Sequence, residues 1–140
     1  MAALLPRMEP GPPPDAASRF LVLCGVLALV PGMIHVFLPD GGAGVIAGID
    51  LSGDAARIVS MFAWAGATQI VWGLMMLAIG LAYRALVPLA LALLLLEKAL
   101  HALSFWVLKP SDHHPPESYA VLVAVPVIAL FLALALRRRG

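Results

Sequence analysis

The sequence predicts an all-α, polytopic membrane protein: a bundle of four transmembrane helices with both termini on the cytoplasmic side. Three observations carry this reading. Apolar residues make up 62% of the 140-residue chain and charged residues 12%, with a mean hydropathy of +0.98. One core of this size cannot hide that much apolar surface from water, so lipid must cover it. The apolar residues gather into four runs, each close to the ~20 residues that cross ~30 Å of hydrocarbon. The basic residues are distributed unevenly between the two sides that four spans create.

Residues 1–18 hold five prolines and no apolar periodicity, which predicts a disordered cytoplasmic tail. No signal-peptide layout is seen. The spans are expected at about 19–38, 58–81, 86–108 and 119–136, all helical because lipid offers no partner to unpaired backbone groups. Pro31 should kink or weaken the first span. The long connection 39–57 is rich in glycine and aspartate, Val45–Ile49 within it reads as a short interfacial segment, and Ser52 or Asp54 is a candidate cap for the second helix. The turn at Arg84 is so short that the second and third helices should be antiparallel neighbours. Three prolines stiffen the connection before the fourth span, which carries Pro126 and no polar residue from Ala120 to Leu136, and so reads as a lipid-facing wall. Residues 137–140 form a basic cytoplasmic end.

With the N-terminus inside, the cytoplasmic side carries Arg7, Arg19, Arg84, Arg137, Arg138 and Arg139, against Arg57 and Lys109 outside. That bias sets the N-in, C-in orientation. A net charge of +1 and the absence of a basic, aromatic-interleaved patch argue against nucleic acid as a partner.

The third span contains Glu97, Lys98 and His101. Charges at such depth are costly and tend to face protein or trapped water, so they mark the first place to look for function. At ~1.5 Å per residue, Glu97 and Gln69 both lie about 16 Å into their spans, and His35 and His101 share a level at about 22 Å. Glu97, His101 and Ser104 form one stripe of the third helix, while Gly66, Gln69, Gly73 and Gly80 form a small-and-polar stripe of the second. His35, Gln69, Trp72, Glu97, Lys98 and His101 are therefore the candidate ligand-binding set, with Glu97 and His101 as candidate acid and base. Glu97 is the one intramembrane counter-charge for Lys98 within the expected spans; a partner subunit's carboxylate is an alternative. The weak metal candidates His35, His101, His113 and His114 lack zinc-site spacing, haem ligation by His35 and His101 is a remote possibility, and no cofactor is implied. No nucleophile motif or phosphate-binding loop is present.

A first span bearing Pro31-Gly32, a glycine-rich loop at 41–44, the run Gly66-Ala67-Thr68-Gln69-Ile70-Val71-Trp72-Gly73, a basic turn at Arg84 and a proline-rich loop before the last span complete the layout. This layout resembles the small four-helix bacterial membrane proteins of the DoxX-like class, some of unknown function, over most of residues 19–136. The resemblance implies a compact bundle in a bacterial inner membrane, in some members accessory to redox or quinone-linked systems. The cysteine pair of some relatives is missing, since Cys24 stands alone. The leading functional expectation is a non-enzymatic protein that binds a small apolar ligand, lipid or quinone in an outward-opening polar pocket, or serves as accessory subunit of a membrane complex. Two others follow from Glu97 and His101: a proton- or ion-coupled transporter working as a homo-oligomer, and a membrane enzyme using the pair as acid and base.

Overall fold

The computed structural model describes residues 13–137 and is all-helical there. Helix α1 spans Ala16–Phe37, α2 Ala55–Leu81, α3 Val87–Leu103 and α4 Pro116–Arg137. A single 3-10 turn, Arg84–Leu86, leads into α3, and a π-helical stretch, Ser104–Leu108, continues it. Helices α1, α2 and α4, and the continuous stretch Arg84–Leu108 that contains α3, are long and apolar enough to cross a membrane. Large side chains such as Leu27, Trp64, Val71 and Val123 stand exposed along them. Water would not tolerate that surface; lipid does.

Three of the helices, α1, α2 and α4, begin three residues earlier than hydropathy predicts, and in α1 a cap sets the start. Asp15 and Ser18 form a reciprocal capping box: the Asp15 carboxylate accepts from Ser18 N at 2.7 Å, and Asp15 N donates to Ser18 Oγ at 3.0 Å. Asp54 occupies the start of α2 but makes no cap bond; its carboxylate pairs with Arg57 at 2.9 Å, and Ser52 binds Asp50 instead. Neither Pro31 nor Pro126 breaks its helix. Of the proline-rich tail, residues 1–12 lie outside the described residues, as do residues 138–140 of the basic end.

The helices pair as α1 with α2 and α3 with α4. The first pair is joined by two seven-residue repeats of small residues running in opposite directions: Ser18, Gly25, Gly32 on α1 and Gly66, Gly73, Gly80 on α2. A Cβ added to Gly66 would lie 2.8 Å from the Gly32 carbonyl and 2.6 Å from His35 Cβ; one on Gly73 would lie 2.8 Å from the Gly25 carbonyl; one on Gly80 would lie 3.0 Å from the Ser18 carbonyl. Backbones meet directly along the whole seam. Because that face of α2 is committed to α1, α2 touches α3 at few positions despite the short turn. The expectation of close packing between the second and third helices is corrected on this ground.

The two pairs share an apolar core at the end where the termini lie. It contains Ala17 and Leu21 of α1, Met76 of α2, Val87, Ala90, Leu91 and Leu94 of α3, and Ile128 and Ala135 of α4. Phe20 stacks on Phe131 with ring centres 3.9 Å apart. Helix α4 is thus no mere lipid-facing wall: Val121, Ile128 and Ala135, seven residues apart, make one buried stripe. Towards the opposite end the core stops at Ala28, Met76, Leu95 and Ala124.

That opposite end bears the two long loops. In the first, Asp40 accepts from the backbone N–H of Gly42, Gly44 and Val45 at 2.9–3.1 Å, and glycines 41, 42 and 48 supply positive φ angles. The Val45 N–H above all, then that of Gly42, holds the Asp40 carboxyl below the usual carboxylate range. This loop-bracing is in place at neutral pH and is lost as pH falls through that lowered value. Residues 39–47 are turns, with Val45 exposed at the tip.

The seam predicts a sharp contrast. Gly66→Ala and Gly73→Ala should each lower stability by about 1–3 kcal/mol through overpacking, read from unfolding curves in mixed micelles. Gly53→Ala, whose Cβ meets nothing within 4 Å, should stay within ~0.5 kcal/mol of the parent.

Candidate functional site

Three of the four stripes that build the apolar core, those of α2, α3 and α4, continue into polar residues at the loop end. On α3, Glu97 follows Ala90 by seven residues, Lys98 follows Leu91, and His101 follows Leu94, so all three prolong the core face. On α2, Gln69 precedes the core residue Met76 by seven. On α4, Glu117 and Ser118 precede Val121 by four and three. The polarity change is therefore along the bundle axis, not around it.

Three of these residues and Glu117 close into a four-membered ring. Lys98 Nζ lies 3.3 Å from Glu97 Oε1 and 3.8 Å from Glu117 Oε1. His101 Nδ1 lies 3.7 Å from Glu97 Oε1 and 3.8 Å from the same Glu117 oxygen. Each carboxylate oxygen thus faces both bases, and each base faces both carboxylates. Helix periodicity alone brings Glu97 and His101 together; the arrival of α4 supplies the fourth member. Side-chain exposure is 24% for Lys98 and 27% for Glu97, against 41% for His101 and 43% for Glu117. The ring is half-buried, more open on its His101–Glu117 side.

Several polar atoms here have no hydrogen-bond partner although no surface reaches them. They are Gln69 Oε1, Glu97 Oε2 and His101 Nδ1, the last meeting the two carboxylates beyond hydrogen-bond reach. A buried polar atom left unpaired costs about 1–3 kcal/mol. Gln69 Oε1, Glu97 Oε2 and His101 Nδ1 thus single out the loop end as the polar end of the bundle.

Glu117 was not among the sequence-based candidates, being expected in the loop before a fourth span starting at 119. A signal was present: Pro116 followed by an acidic residue is a helix start, where proline suits the first position and a carboxylate suits the dipole. Glu117 therefore belongs to the first turn of α4, and the Lys98 ion pair closes within this chain. Helix α4 is held there by Trp106, whose Nε1 donates to the Ser118 carbonyl at 2.9 Å, and by Ser118, fully buried, whose hydroxyl donates to the Pro115 carbonyl. The π-helical stretch that carries Trp106 ends on a bond from Lys109 N to the Ser104 carbonyl at 2.9 Å.

The other candidates go elsewhere. His35 Nδ1–H donates to the Gly41 carbonyl at 2.6 Å, and its ring meets Phe62 edge-on at 5.1 Å. It ties the end of α1 to the first loop and is not in the ring. Trp72 lies on the outer side of α2, in a shallow groove with Trp64, Ala67, Thr68 and Val71. His113 Nε2–H donates to the Ala47 carbonyl at 2.8 Å, joining the two loops. His114 stacks on Trp106 with ring centres 4.5 Å apart, and Tyr119 meets both edge-on. Among the described residues no three His, Cys, Asp or Glu side chains are grouped to hold a metal ion. In the ring, the Lys98 ammonium stands where a cation would.

Removing members of the ring should give an ordered series. Lys98→Met leaves two carboxylates facing only His101 and should cost ~2 kcal/mol, short of the 3–5 kcal/mol of a fully buried pair. Glu117→Gln leaves Lys98 its Glu97 partner and should cost no more than about 1 kcal/mol for so exposed a group. Equilibrium unfolding of both variants in the same micelles checks the order; equal costs would show that the ring does not act as a unit.

No protein-family model, curated protein or solved structure matches this chain.

Proposed function

We propose that the loop end of the bundle is an outward-opening polar pocket that binds a small apolar ligand, lipid or quinone. The protein is then a non-enzymatic component of a bacterial inner membrane, acting alone or as accessory subunit of a larger complex. The observation that carries this reading is the set of buried, partnerless atoms, Gln69 Oε1, Glu97 Oε2 and His101 Nδ1, above a closed apolar core. A structural polar cluster would satisfy its own atoms. A ligand with a polar head and an apolar body satisfies them and rests on the surrounding hydrocarbon. The DoxX-like layout supports the same membrane and the same class of ligand.

Orientation is part of the proposal. Arg19, Arg84 and Arg137 lie at the termini end, Arg57 and Lys109 at the loop end, and with the remaining arginines this supports termini in the cytoplasm. In a Cys24→Ser background, Ser52→Cys should react with a membrane-impermeant maleimide added outside intact cells, and Ala85→Cys should react only after lysis. The reverse pattern would overturn the orientation.

The binding reading is tested by extracting lipids and quinones from the chain purified in native nanodiscs. A stoichiometric molecule should accompany the parent and be lost from Glu97→Gln, with the helical circular-dichroism spectrum unchanged. An ion flux in proteoliposomes that Glu97→Gln abolishes, with no molecule retained, would replace binding by transport. Turnover of an apolar substrate lost in Glu97→Gln and His101→Gln would replace it by acid–base catalysis.

A further inference from the structure

We infer that the ring is a pH-sensitive latch: a proton on His101 fastens the first turn of α4 to α3, and its loss loosens that turn. The latch works with or without a ligand at the loop end, so it does not rest on the pocket reading. His101 Nδ1 lies 3.7 Å from Glu97 Oε1 and 3.8 Å from Glu117 Oε1. Glu97 belongs to the same helix and stays beside His101 whatever α4 does. Glu117 arrives only with α4. A protonated His101 therefore meets two carboxylates when α4 is seated and one when it is not. A neutral imidazole gains no ion pair from the seating.

Proton and seating are thus linked, each favouring the other. Helix α4 is held more firmly on the acid side of the range near pH 6.5 in which an imidazole ordinarily titrates, and less firmly above it. Lys98, which shares both carboxylate oxygens, is the like charge that opposes the proton. It also sits on α3, so it does so in both states. The other titratable groups of the neighbouring elements are committed elsewhere. On α1, Cys24 packs against the apolar core and His35 bonds the Gly41 carbonyl; on α2, Gln69 does not ionise and Arg57 pairs with Asp54. In the connection before α4, His113 bonds the Ala47 carbonyl, His114 stacks on Trp106, and Asp112 is exposed. None of these is ion-paired to His101. The latch has leverage because the shared apolar core ends on α3 at Leu95 and on α4 at Ala124. Beyond it, the ring and the Trp106 bond to the Ser118 carbonyl hold the start of α4. His101 and Glu117 are also the more exposed members of the ring, so protons reach them from the loop side.

Hydrogen exchange of the full chain in mild detergent tests the latch at about pH 5.5 and pH 8, either side of the imidazole range. Rates are corrected for the intrinsic pH dependence of amide exchange, and the seam segment 18–25 serves as internal reference. Residues 119–124 should be about two- to fivefold better protected at the lower pH, as befits one or two partly exposed ion pairs. His101→Gln should leave the weaker protection at both values, and Glu117→Gln should do the same from the α4 side. His101→Lys, charged at both values, should give the stronger protection at both. His114→Phe, which keeps a ring on Trp106, should retain the difference seen in the parent. Circular dichroism confirms that each variant is helical. A parent with no difference, stronger protection at the higher pH, or a difference that survives in His101→Gln would each overturn the latch.

Discussion

The backbone seam between α1 and α2 is the constraint on which the rest of this bundle depends. In lipid no hydrophobic force draws helices together, since the tails are as apolar as leucine, and association rests on close packing. Glycine 66 against glycine 32, and glycine 73 against glycine 25, let whole turns of backbone touch. A repeat of seven residues, shorter than two full turns of a straight helix, keeps the contact aligned only if the helices coil around each other left-handedly. Once α1 and α2 are locked, each has one narrow stripe left facing the second pair. The core is consequently small, made of single residues per turn, and it is completed by α3 and α4 at the termini end.

At the loop end that same economy of faces changes meaning. The stripes run on, but the residues on them are Gln69, Glu97, Lys98, His101 and Glu117. Charges in a membrane-spanning segment cost at least a few kcal/mol each unless they meet partners. The ring reduces that cost by giving every charge opposite neighbours, and it does so across two helices, so insertion of α3 is completed by the docking of α4. The polar atoms left over are then not random residue. Glu97 Oε2 is the oxygen that does not face Lys98, whereas His101 Nδ1 belongs to the ring itself.

Much of this was legible in the sequence, for physical reasons that differ by feature. Span number followed from hydropathy, because lipid demands long apolar helices and little else. A shared level for Gln69 and Glu97 was an expectation from the fixed rise of the helix. The glycine stripe of α2 was visible as a pattern, but its counterpart on α1 was hidden, because Ser18, Gly25 and Gly32 are small residues whose common spacing gains meaning only against α2. Helix pairing was misjudged for the same reason: loop length says which helices are joined, and side-chain volume says which ones touch. Trp72 shares a helix with Gln69 but lies on its outer side, a difference of one face that depth counting does not register. His35 has the right depth, yet its ring is used by the backbone of the loop it supports.

Glu117 shows how two irregular pieces of backbone can complete a site. Pro115 and Pro116 cannot continue a loop freely, and they start α4 sooner than its apolar run begins. The π-helical stretch after His101 adds a residue to the turn and brings Trp106 round to the Ser118 carbonyl. Together they seat the first turn of α4 beside Lys98 and His101, where the positive end of the helix dipole also favours a carboxylate. A straight α3 with a later α4 would leave Lys98 with Glu97 alone and would place Glu117 in water. The charged ring is therefore a product of where two helices stop and start, more than of the residues that form it.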